Sequence, residues 1–99
     1  MENNQNKGGI VLKSILHLTL KKKWFDLIKS GEKKVEYRQA KQYWIKRLYG
    51  RRFDEIHFHN GYSPDSPFMI VECLDIVRIG DMFEIRLGEI LFINPGKES

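Results

Sequence analysis

The sequence predicts an α+β domain: a curled sheet or barrel of about five to six strands, with two short helices in its N-terminal half. Three observations predict it. Residues 16–20, 53–59 and 83–87 alternate apolar and polar side chains, the period of a strand with one face on a core. Residues 68–77 are apolar on both faces, as in a central strand covered on each side. Between the first two alternating stretches, apolar residues recur at helical spacing instead.

Each element follows in order. Leu16, Leu18 and Leu20 alternate with Ile15, His17 and Thr19. From Lys21 the period changes: Leu20, Trp24, Leu27 and Ile28 fall on one helical face, with Trp24 expected to pack under its helix. Lys21, Lys22, Lys23 and Lys29 solvate the outside, and Ser30-Gly31 supplies the stop. Residues 33–38 alternate again, with Val35 and Tyr37 on one face and Lys34, Glu36 and Arg38 on the other. A second helix over 41–48 pairs Trp44 with Leu48 and Tyr43 with Arg47 at i, i+4. After the strand ending at His59, residues 60–67 carry the chemistry of a loop: Asn60-Gly61, Pro64 and Pro67. Ile79-Gly80-Asp81 turns the chain, Gly88 breaks the strand that follows, and Ile90 to Ile93 closes the sheet.

Ninety-nine residues make one domain with room for a single modest core. Hydrophobic residues are 41% of the chain and aromatics 12%, enough to fold. Residues 1–9 are polar and low in complexity and read as a loose arm, 10–94 as the domain, and 95–99 as a tail. No apolar run approaches the roughly 18 residues that span a bilayer, and no secretory signal opens the chain. No membrane partner is therefore expected. Cys73 is alone, so no internal disulfide can form, which suits a reducing, cytoplasmic setting. Its apolar strand marks it as a buried, inert thiol.

The charge is unevenly spread. Residues 21–52 carry twelve Lys/Arg against three Asp/Glu, and residues 53–99 carry three against nine, within a net charge of +4. A basic face for an anionic partner explains the split; two halves attracting each other across the fold is the alternative. Within residues 31–48 stand six cationic side chains, two glutamates and three large aromatics.

Several residues could carry chemistry. Gly31 lets the chain leave its helix and turn sharply, so that Lys33 projects beside the helix end. Glu36 and Arg38 share a strand face and jointly present an acceptor and a donor fork. Glu72 interrupts an apolar strand, where a buried carboxylate needs a partner such as Arg38 or Lys33; an exposed edge position is the alternative. Tyr43, Trp44 and Tyr62 stand beside basic or turn residues and could stack a base. His57 and His59 have a spacing compatible with a metal, but no third ligand is evident, so they read as polar strand residues facing water. No metal or cofactor is expected.

Gly31, Lys33, Glu36 and Arg38 together spell G-x-K-x-x-E-x-R between a helix and a strand. The pattern, in this order of elements, resembles the ASCH domain family over roughly His17 to Ile93. The stretches 43–48 and 60–64 also look like small phage- and prophage-type members. The resemblance implies a PUA-like β-barrel and a cleft for RNA or nucleotides against the GxKxxExR segment. Ligand-binding residues would then be Arg38, Tyr43, Trp44, Arg47, Asn60 and Tyr62. Some small members hydrolyse N4-acetylcytidine with a Lys, a Thr and a Glu. Lys33 matches that Lys, Glu36 fills the Thr position, and Glu72 is the candidate for the third, so the catalytic set would be Lys33, Glu36 and Glu72. The departure at Glu36 favours nucleotide binding over that reaction. A protein-interaction module contacting an acidic partner is the third expectation.

Overall fold

The computed structural model describes residues 12–97, so the expected arm over 1–9 lies outside the described residues. Five strands and two helices follow in the order β1 (Ile15–Thr19), α1 (Lys22–Lys29), β2 (Val35–Gln39), α2 (Gln42–Leu48), β3 (Glu55–His59), β4 (Phe68–Ile79) and β5 (Met82–Asn94). They form one sheet in the order β1-β3-β4-β5-β2. β1 runs parallel to β3, pairing Ile15 with Glu55 through to Thr19 with His59; the other neighbours are antiparallel. The parallel pair needs a crossover, and α1, β2 and α2 supply it.

The sheet curls into a half-barrel. Its two edge strands come within reach of each other, where Arg38 on β2 donates from Nη2 to the Thr19 carbonyl on β1 at 3.4 Å. The core lies inside the curl. Leu16 and Leu18 of β1, Ile56 and Phe58 of β3, Met69 and Val71 of β4, and Phe83, Ile85 and Leu87 of β5 are all buried there. Phe25 and Ile28 of α1 and Leu48 of α2 cover them. Burial of such side chains contributes roughly 1.5–3 kcal/mol each.

Four expectations need correction. β5 is one strand, not two. It runs on through Gly88, whose missing side chain leaves room for the Glu72 carboxylate and for Leu74 Cδ2, 2.9 Å from where a β-carbon would stand; the register with β4 slips on either side of Cys73. The strands therefore number five. α1 turns Phe25 and Ile28 inward rather than Trp24, which stays 40% exposed, its ring faced by the Lys23 and Lys33 ammonium groups. Third, β4 is not covered along its length. β3 pairs with it only from Phe68 to Glu72, and beyond that Leu74 and Ile79 are exposed. The fourth concerns Glu72. It is exposed rather than buried, and its Oε1 accepts the Glu89 N–H at 3.3 Å instead of reaching Lys33 or Arg38.

Candidate functional site

α1 closes with Gly31 at φ 87°, a left-handed conformation that suits glycine. The Gly31 N–H bonds to the Ile28 carbonyl and the Lys33 N–H to the Leu27 carbonyl, both at 3.0 Å, so the chain doubles back along the helix. Lys33 consequently stands beside α1, with its ammonium 5.4 Å from the Trp24 ring centre and 5.1 Å from that of Tyr37.

The next strand carries its polar face inward. Glu36, 7% exposed, is buried, while Tyr37 is largely exposed. The alternation over 33–38 is as expected, but the charged side points into the curl. One carboxylate serves two cations there: Glu36 lies 3.5 Å from Lys33 Nζ and 3.1 Å from Arg38 Nη2. Arg38 in turn lays its guanidinium 5.0 Å from the Trp44 ring centre. Its Nε is buried and finds no acceptor among the described residues.

Thr19, Lys21, Trp24, Glu36, Arg38, Lys41 and Trp44, with Leu20, Tyr37, Gln39 and Met82, line an open cleft of about 540 Å³. A smaller recess of about 220 Å³ adjoins it between Trp24, Lys33, Glu36 and Tyr37. Lys21, Lys41 and Arg38 face the first cleft against the single carboxylate of Glu36, so its wall is cationic, with indole rings set among the charges.

The remaining expected residues are dispersed. Tyr43 meets Trp44 edge-on at 4.9 Å and carries the Arg47 guanidinium 4.4 Å from its own ring centre, but both lie on the outer side of α2, off the cleft. Asn60 donates from Nδ2 to the Leu20 carbonyl at 3.1 Å and fastens the loop over 60–67 behind the cleft. Tyr62, 92% exposed, stands out from that loop. Glu72 borders a separate concavity of about 520 Å³ that also touches Lys33, between Gly31 and Gly88. Another hollow, of about 510 Å³ beside Leu48–Asp54 and Glu72–Ile76, sets Arg51, Arg52 and Arg78 against Asp54, Glu72 and Asp75 and has no clear sign of charge. Sequence reasoning assigned Trp24 to the core. Its place among Lys21, Lys22 and Lys23 was the signal, the same one that singled out Trp44.

The ion pairs bear on the charge split. Among the described residues, no Lys or Arg of 21–52 pairs with an Asp or Glu of 53–99. The two halves meet instead without direct pairs, in the hollow where Arg51 and Arg52 stand near Asp54, Glu72 and Asp75.

The histidines form a cluster instead of facing water independently. The parallel β1–β3 pairing brings His17 opposite His57 and beside His59. His57 lies against Glu55, Nε2 to Oε1 3.3 Å, and Lys13 bonds the other carboxylate oxygen at 2.7 Å. The Lys13 hydrogen bond, then that from His57, holds the Glu55 carboxyl below its ordinary value. Burial, and then the neighbouring His17 and His57, lowers that of His59. Among the described residues no three His, Cys, Asp or Glu side chains converge as a metal set. Burial raises the Cys73 thiol, as an inert cysteine requires.

No protein-family model matches this chain, and no curated protein matches it either. No helix among the described residues is long and apolar enough to cross a membrane.

Proposed function

We propose that this chain is an RNA- or nucleotide-binding domain of the ASCH type, a PUA-like barrel whose GxKxxExR segment forms the wall of the binding cleft. The observation that carries the reading is the setting of Arg38: a guanidinium held by Glu36, laid against Trp44, and left with a buried Nε–H that lacks an acceptor. A phosphate or base oxygen in the cleft would satisfy that donor, and an unsatisfied buried donor is costly. Lys21 and Lys41 add charge for phosphates, while Trp24 and Trp44 offer rings on which a base can stack. Lys21, Arg38 and Lys41 face the cleft with Glu36 as its single carboxylate, and this local cationic excess supports an anionic partner.

Arg38→Ala is expected to lower affinity for single-stranded RNA or mononucleotides by about 1–3 kcal/mol, the range of a charge-assisted hydrogen bond. Lys22→Ala removes only an exposed i, i+4 pair with Asp26, at 2.6 Å, and is expected to change affinity far less. Both are to be titrated at low salt and again at rising salt, where phosphate contacts weaken binding steeply. Equal affinities for the two variants, or no binding by the parent chain, would overturn the reading. That result would put a protein-interaction module ahead.

The 3.5 Å approach of Lys33 to Glu36 favours a second reading, a hydrolase of modified nucleosides with Lys33 as base and Glu36 handling the proton. Glu72, held by the Glu89 N–H, stands apart from this pair. Turnover of N4-acetylcytidine or of RNA that disappears in Lys33→Met, with binding retained, would establish it.

A further inference from the structure

The outer face of the sheet carries a constellation that the cleft does not use. We propose that His17 and His59 together hold one divalent transition-metal ion, of the zinc or nickel kind, on this face. The inference stands independently of the nucleotide reading.

The geometry starts from β-sheet register. β1 and β3 run parallel with Thr19 opposite His59, which sets the His17 and His59 side chains diagonally on one face. Their rings lie nearly parallel, 27° apart, and His17 Nδ1 is 3.3 Å from His59 Nε2. Two imidazole nitrogens bound tetrahedrally to zinc at about 2.0–2.1 Å stand about 3.3–3.4 Å apart. The pair is thus already at ligand spacing. Without metal the same approach is an N–H···N hydrogen bond with one proton between the rings. For an ion to take that place, the donor ring passes the shared proton through solvent to its own far nitrogen, so that the N–H groups end on His17 Nε2 and His59 Nδ1 and both facing nitrogens offer a lone pair. Both imidazoles stay neutral, and no net proton is lost.

The surroundings hold one ring and open the other. His59 stacks on Phe68 with ring centres 5.8 Å apart, and Phe68 leans on Phe92 at 5.7 Å, so the inner ligand is backed by an aromatic row across three strands. His17 is exposed, which leaves the approach to the ion, and its remaining positions, to solvent. His57 does not belong to the pair. Its ring stands edge-on to His17 at 5.1 Å, and its Nε2 is taken by Glu55, whose other oxygen is held by Lys13. Imidazole donors suit zinc, nickel and copper over magnesium or calcium.

The test is a titration of the full chain with zinc chloride and nickel chloride, in competition with a chromophoric chelator. It is paired with long-range ¹H–¹⁵N spectra of the imidazoles during zinc addition. The expected result is one ion per chain, with the shifts confined to the rings of His17 and His59. Loss of either ligand is expected to weaken binding by at least about tenfold. His17→Ala, at an exposed position, should remain folded by circular dichroism, and His17→Gln repeats the test with a bulkier neutral side chain. His57→Ala is expected to retain the affinity. The proposal is overturned if zinc fails to bind, if the parent and His17→Ala bind alike, if the shifts fall on another ring, or if His57→Ala costs as much as His17→Ala.

Discussion

Glu36 holds Lys33 and Arg38 with one buried carboxylate, and both cations are themselves partly buried. Glu36→Gln keeps the shape but leaves the cations without a counter-charge, and is expected to destabilise the chain by about 2–3 kcal/mol. Urea unfolding of Glu36→Gln, Arg38→Ala and the double variant checks this, because coupled partners give a double loss smaller than the sum. Cys73 is expected to react slowly with a thiol reagent at neutral pH, since burial raises its pKa, and at the rate of a free thiol once urea unfolds the chain. A fast reaction in the folded protein would contradict its half-buried position. At this scale the sequence was most informative where the partners are close along the chain. Lys33, Glu36 and Arg38 lie within six residues, so turn and strand geometry alone bring them together. His17 was not legible as a candidate site residue, because its neighbours arrive through the pairing of distant strands, whereas Trp24 was hidden by a helical spacing that put it on the apolar face despite the lysines beside it.

Element by element, periodicity shows that a segment alternates and leaves open which side faces in. On β2 the charged side is the inner one, since the curl places β2 at an edge beside the cleft rather than over the core. Apolar runs mislead in the other direction. β4 reads as covered on both sides, yet it outruns β3 after Glu72 and its far end is bare. Gly88 looks like a break and instead leaves the space that the Glu72 and Leu74 side chains of β4 occupy. Of the expected tail, residues 95–97 are described: the Lys97 N–H bonds to the Asp65 carbonyl at 3.0 Å, and Gly96 lies against the loop at φ 78°. A β-carbon at Gly96 would stand 2.7 Å from both the Asp65 oxygen and the Pro67 nitrogen, backbone atoms that cannot swing aside. Gly96→Ala is therefore expected to cost about 1–2 kcal/mol from the left-handed conformation alone. Hydrogen exchange should quicken at Lys97 and leave the β3 amides unchanged. Unaltered protection at Lys97 would mean the tail is not fastened there.

For the molecule as a whole, acid is expected to act through Glu55. Its folded-state pKa lies below the ordinary carboxylate value, so the unfolded chain takes up the proton first as pH falls. The stabilisation is complete above about pH 4.5 and is lost as pH falls through the lowered folded value. Urea midpoints at pH 7, 4.5 and 3 should therefore fall more steeply for the parent than for Glu55→Gln; parallel decline would assign acid sensitivity to other carboxylates. A different kind of linkage follows from Arg38. The guanidinium that faces the cleft is also the one that reaches the Thr19 carbonyl and clasps the first strand of the sheet to the last. On the proposed reading, a ligand in the cleft therefore pulls on the latch of the half-barrel. Occupancy and closure become one equilibrium: a ligand that favours the latched form slows the opening of β1, and a chain with a loosened latch gives up affinity even when every other contact is intact.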